Sequence, residues 1–231
     1  ASHIHMPDGG PVPDYVHFHK IRFQMIYCYK GWVKVAYEDQ GPPITMLAGD
    51  CVLQPPLIRH RALESSSGLQ VIEVSCPALH ETFADHDLEL PTPTIKKDRD
   101  FGGQRFVFHQ AADAEWRPWR IEGFEFRDTG IASATDGLAG VRVARPSGEV
   151  QPEVVSHSGK FLFIFVLAGK TTLLSDEHGA QQMAAGDSCV VPSGTHHALT
   201  DCSDDLEMLE VTLPASLETT HDSVSFQMLL E

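Results

Sequence analysis

The chain has 231 residues, 42% of them hydrophobic and 21% charged, the make-up of an ordinary globular protein. Its formal net charge of −15 argues against nucleic acid as a partner, because that needs a basic footprint, and against an anionic membrane surface. No apolar run approaches the roughly 20 residues that span a bilayer.

Strand signals dominate in chain order. Short β-branched or aromatic runs alternate with Gly, Pro, Asp and Ser clusters. They predict strands over residues 15–23, 25–29, 32–37, 51–54, 60–63 and 69–75. The segment 90–99 carries Pro91 and Pro93 and reads as a linker. Trp116 and Trp119 follow as packing residues, then a strand over 124–128. Further strands are predicted over 141–144, 161–167, 171–175, 188–191, 197–200 and 206–213. Gly31 and Gly169 each separate two strands, where a tight turn needs positive φ. Short helices are expected over 78–84 and 214–219. The opening His3-Ile4-His5 is expected to be disordered. The five cysteines, Cys28, Cys51, Cys76, Cys189 and Cys202, are scattered without a CxxC pair, and no signal-peptide pattern opens the sequence. Both point to free thiols and a cytoplasmic protein.

The sequence states one passage twice. Residues 48–82 align with residues 185–219 at a constant offset of 137 without a gap. Ala48-Gly49-Asp50 matches Ala185-Gly186-Asp187, Pro55 matches Pro192, His60 matches His197, and Glu73 matches Glu210. Such self-similarity means two copies of one fold. The division expected is residues 1–90, a junction at 91–122, and residues 123–231.

The copies differ in chemistry. His17 and His19 alternate along a predicted strand and so share a face. Gln24 and Gly31 follow, then Gly49, Pro55 and His60. The string His17-x-His19-x4-Gln24-x6-Gly31, then Gly49-x5-Pro55-x4-His60, resembles the two motifs of the cupin superfamily. In the second copy the equivalent string is Val155-x-His157-x4-Leu162-x6-Gly169, then Gly186-x5-Pro192-x-Gly194-x2-His197. The resemblance therefore covers both halves and implies an all-β bicupin: two double-stranded β-helix (jelly-roll) barrels in tandem.

The same resemblance implies one divalent metal ion per chain, Fe, Mn, Ni, Cu or Zn, held in the first barrel by His17, His19, Gln24 and His60. Three departures from the family pattern stand out. Gln24 replaces an acid, Leu57 a glycine, and Glu64 an asparagine. Glutamine is neutral, so it either ligates through its carbonyl oxygen or hydrogen-bonds a metal-bound water. Three imidazoles and an amide leave the cation's charge uncompensated and favour an anionic ligand. A metal-free polar cluster is the alternative. Alternation places Ile26 and Cys28 beside Gln24 as substrate-facing positions, with Gln54 on the strand before Pro55. His157 and His197 are the residue of a degenerate second site. His80 and His86 reach the metal only if the chain folds back over the barrel mouth, and are set aside.

The function implied by resemblance is an oxygen-dependent oxidoreductase of dioxygenase type acting on a small metal-chelating organic anion. A non-redox isomerase, lyase or hydrolase and a non-catalytic ligand-binding module are the alternatives, because this fold hosts many chemistries. Exposed sheet edges imply a homo-oligomer, most simply a dimer.

Overall fold

The computed structural model describes residues 1–221. Its strands are antiparallel throughout and fall into two compact units. The first comprises Ala1–Ala114 with Ser133–Asp136, and the second Glu115–Ala132 with the residues from Gly137.

In the first unit the strands run β1 (Ser2–Met6), β2 (Gly10–Pro11), β3 (His17–Lys20), β4 (Phe23–Lys30), β5 (Trp32–Tyr37), β6 (Ile44–Leu47), β7 (Cys51–Leu53), β8 (His60–Ser65), β9 (Leu69–Cys76), β10 (Glu81–Ala84) and β11 (Val107–His109). They form one sheet of order β1-β9-β4-β7-β11 and another of order β10-β3-β8-β5-β6, with β2 pairing β8. The second unit contains β12 (Arg117–Pro118), β13 (Phe124–Asp128), β14 (Gly140–Pro146), β15 (Val155–His157), β16 (Phe161–Ala168), β17 (Lys170–Ser175), β18 (Gly179–Ala184), β19 (Ser188–Val191), β20 (His197–Thr200), β21 (Glu207–Leu213) and β22 (Thr219–His221). Its sheets are β12-β13-β14-β21-β16-β19 and β18-β17-β20-β15-β22. The order β9-β4-β7 recurs as β21-β16-β19, and β10-β3-β8-β5-β6 recurs as β22-β15-β20-β17-β18. The sequence repeat is thus a repeat of two jelly-roll barrels.

Each core lies between its two sheets. In the first it includes Cys28, Val33, Val35, Met46, Val52, Leu69 and Val71. In the second it includes Leu162, Ile164, Val166, Leu173, Leu206 and Met208. The shared motifs do local work. In Ala-Gly-Asp the aspartate turns back on its own hairpin: Asp50 accepts from the Leu47 N–H and Asp187 from the Ala184 N–H, each at 2.8 Å. Gly31 and Gly169 take φ of 77° and 68°. A Cβ on Gly31 would meet the Ser66 Oγ at 2.3 Å, and one on Gly169 the Leu206 nitrogen at 2.7 Å. Both turns therefore exclude a side chain.

The structure departs from the sequence expectations in several places, the short strands β2, β11, β12 and β15 among them. Residues 81–84 are not helical; they pair with β3 as a strand, because a free sheet edge there satisfies their backbone. Residues 214–219 form no helix either, and the chain continues into β22 against β15. His3-Ile4-His5 is ordered as β1 on β9. Strands β6 and β18 were not expected. The latter reads Gly-Ala-Gln-Gln-Met-Ala and is an exposed edge strand whose polar residues hide the alternation.

One difference between the barrels matters below. Leu53 and Val190 occupy the same repeat position. Leu53 is fully buried, whereas Val190 is 54% exposed; β11 pairs along β7 in the first barrel. Among the described residues no strand pairs with the outer edge of β19.

Candidate metal centre

His17 on β3 lies directly across from His60 on β8. His19 is two residues on, so strand alternation returns it to the same face. Phe18, between them, faces the other way, stacked on Phe83 with Arg59 over its ring. The three imidazoles therefore converge. Their ring centroids are 4.3 Å (His17–His60), 5.1 Å (His17–His19) and 5.2 Å (His19–His60) apart. One ligand atom from each lies within 4.8 Å of the others, the one such grouping of three His, Cys, Asp or Glu among the described residues.

The second nitrogen of every ring is already committed. His60 Nδ1 lies 3.1 Å from the Ile58 carbonyl, His17 Nδ1 2.9 Å from the Tyr15 carbonyl, and His19 Nδ1 2.8 Å from the Thr82 hydroxyl. A carbonyl only accepts, so Nδ1 carries the proton in His17 and His60 and Nε2 is left as the free lone pair. Burial drives the His60 pKa down to about 3 and that of His19 to about 4, the latter helped by the neighbouring His17 and His80. Asp14, hydrogen-bonded to His17, moves that imidazole the opposite way. Imidazoles whose Nδ1 is held, with Nε2 left to ligate, suit a first-row divalent cation.

Gln24 is 4% exposed on β4. Its amide Nε2 donates to the Glu73 carboxylate at 3.0 Å. Leu69 and Val71 face the core from β9, so alternation brings Glu73 into the barrel with them. Gln54 is buried next to Gln24, whose main-chain carbonyl accepts from the Gln54 main-chain N–H at 2.9 Å. Ile26 packs against the core cluster and Cys28 lies within it. The Cys28 thiol sits 3.5 Å from the Gly31 carbonyl, and burial pushes its pKa up to about 12. Cys28 is thus an inert apolar wall, four residues further along β4 than Gln24.

Three residues near the site were not singled out by the sequence, and a fourth was set aside. Asp14 and Thr82 hold the histidines. Glu73 holds Gln24, and its signal was a charge at an inward strand position. His80 was set aside, yet the chain does fold back through β10, and the His80 ring stands 5.0 Å from that of His19. His86 stands against Tyr15, at the other side of His17.

The second barrel keeps the frame and loses the ligands. Val155 pairs with His197 as His17 pairs with His60. His197 Nδ1 lies 3.0 Å from the Thr195 carbonyl, the counterpart of the His60 contact. His157 has turned, and its Nε2 lies 3.0 Å from the Val191 carbonyl. The two rings are 6.0 Å apart beside a cavity of about 60 Å³ whose lining includes Val155, Leu162, Ile164 and Leu199. Glu210, at the Glu73 position, is buried and paired with Arg120 and Arg142 rather than with an amide. Trp119 packs on this core with Arg120 over its ring.

Residues 141–212 match the Cupin domain family. No curated protein matches the chain by sequence. Among solved structures, the salicylate 1,2-dioxygenase of Pseudaminobacter salicylatoxidans superimposes with a TM-score of 0.70 at 13% identity, over 94% of this chain and 73% of that one. The oxalate decarboxylase of Lactobacillus farciminis, in a formate complex, superimposes with 0.65 at 14% identity, over 95% and 78%. The Bacillus subtilis oxalate decarboxylase, with Mn(II) centres, superimposes with 0.61 at 14% identity, over 95% and 70%. At these identities the likeness concerns the fold.

Proposed function

We propose that this chain, a two-barrel cupin, is a metal-dependent oxidoreductase of dioxygenase type that acts on a small metal-chelating organic anion in its first barrel. The observation that carries the reading is the set of three convergent imidazoles with every Nδ1 engaged. Bound there, a divalent ion would supply Lewis acidity and access to dioxygen. The remaining work belongs to the chain. His17, His19 and His60 offer Nε2, and no carboxylate joins them within 4.8 Å, so their donor set is neutral and favours an anionic substrate. Gln24 and Gln54 supply a polar wall, and Ile26 and Cys28 a dry one. The fold likeness to a salicylate dioxygenase, and to one of its variants bound to gentisate, supports a small aromatic hydroxy-acid.

A second reading, a metal-dependent lyase, is supported by the likeness to oxalate decarboxylases. The same proposal takes the protein as cytoplasmic, in keeping with five free cysteines, and as a homodimer, on the open edge of β19.

Metal analysis of the purified protein, followed by oxygen-uptake assays of the Fe(II)- and Mn(II)-loaded forms with salicylate, gentisate and oxalate, tests this. We expect one redox-active ion per chain, lost in His60→Ala and kept in His197→Ala. Oxygen uptake is expected with an aromatic hydroxy-acid. Carbon dioxide release from oxalate without net oxygen consumption would select the lyase. Two ions per chain, or an ion retained in His60→Ala, would overturn the assignment of the site.

A further inference from the structure

We infer that Glu73 is the positioning carboxylate of the first-barrel centre, acting through Gln24. The inference rests on the metal site proposed above. An amide is planar, with oxygen and nitrogen on opposite sides of Cδ. Its orientation is set by its partners, and an ionised carboxylate only accepts. With Nε2 held by Glu73 at 3.0 Å, Oε1 lies on the other side of Cδ and is the one amide atom left that can ligate a cation. Without Glu73 the amide is free to flip and offer two N–H groups, which repel a cation.

This also explains why β4 carries an amide and not an acid. A glutamate at position 24 would stand a hydrogen-bond length from Glu73, two like charges in a buried pocket. The carboxylate beside the centre thus stands on β9, and β4 carries a neutral amide that it can hold. The second barrel supplies the contrast. Its Glu210 occupies the same position and stands in register with Ile164, while Leu162, which has no donor, takes the place of Gln24; Glu210 pairs with Arg120 and Arg142 instead. A carboxylate at this repeat position thus has a partner in both barrels, and only in the first is that partner a possible metal-facing group.

The test is a double-mutant cycle read by Co(II) affinity, from chelator competition, and by the visible spectrum of bound Co(II). Wild type and His60→Ala come first, because loss of binding in His60→Ala establishes the site independently of Glu73. Glu73→Leu is expected to weaken Co(II) binding about tenfold, the usual scale for a residue that orients a ligand. Gln24→Leu should weaken it as much and give the same altered spectrum. The double variant should be no worse than either single one. Glu73→Gln keeps a carbonyl that accepts from Nε2, so it should recover most of the affinity and the wild-type spectrum, and it covers the case in which Glu73→Leu fails to fold. Gln24→Glu alone should not tighten binding, whereas Gln24→Glu with Glu73→Gln should. Additive losses, an unchanged affinity in Glu73→Leu, or no rescue by Glu73→Gln would overturn the role of Glu73 while leaving the three-histidine site standing.

Discussion

Leu57 carries backbone strain in the turn that delivers His60. Its φ is 65°, a region that costs a residue with a Cβ roughly 1–2 kcal/mol. The equivalent residue in the second barrel is Gly194, with φ of 83°. The Leu57 side chain is 45% exposed, so little packing offsets the cost. Its N–H donates to the His19 carbonyl at 3.1 Å, which ties the turn to β3 and keeps two of the three histidines in mutual register. Leu57→Gly should therefore stabilise the protein by roughly 0.5–1 kcal/mol, after the entropy that glycine loses on folding is subtracted. Leu57→Ala removes the same exposed side chain but keeps the Cβ, so it should not stabilise. Urea unfolding of both variants decides the matter, and equal midpoints would show that strain is not the cause. The histidines themselves were legible in the sequence because a period of two needs no tertiary information. Glu73 was not, because its meaning depends on which residue of a neighbouring strand stands opposite, and register is a property of the folded sheet.

The element that most changes the site is β10. Its sequence, Glu-Thr-Phe-Ala, carries weak strand signals and follows a proline turn, so a helix was the local expectation. Tertiary pairing overrode it: Thr82 stands in register with His19, and Phe83 with Phe18. The strand closes one side of the barrel mouth, sets the Thr82 hydroxyl on His19 Nδ1, and brings His80 to the His19 ring. Thr82→Val keeps the shape and β-propensity and removes the hydroxyl. It should leave the fold intact and cut metal affinity about tenfold, since His19 loses the group that fixes its ring. Thr82→Ser should retain affinity. Chelator competition at pH 7 reads both, and equal affinities across the three proteins would mean that β10 only covers the mouth. The strands with dense β-branched or aromatic runs were legible from the chain alone. Edge strands such as β10 and β18 were not, because half of their backbone answers to solvent and their side chains carry no inward pattern.

At the scale of the whole molecule, the two barrels share a frame and have diverged at their edges as well as at their sites. In the first, β11 runs along β7, and Leu53 is buried. In the second, β19 reads Ser-Cys-Val-Val, without a charge or a proline inside it, and leaves Val190 exposed. Natural sheets protect such edges with charge, proline, bulge, cover or brevity; β19 has only its four-residue length and the flanking Asp187 and Pro192. The segment is short and uncharged, so it is compatible with a copy of itself. Antiparallel pairing of two β19 strands about a two-fold axis would satisfy both edges at once. Beside it lies a cavity of about 330 Å³ of mixed lining, Leu173, Met183 and Val190 with Gln181, Gln182 and Asp187. The proposed homodimer should therefore depend on this strand, and not on the metal. Sedimentation of the wild type should give twice the chain mass, with or without chelator, and Val190→Lys should give the single chain mass with an unchanged metal content. Val190→Ile should remain dimeric. A wild type that sediments as one chain at every concentration, or a dimer that survives Val190→Lys, would remove β19 as the interface.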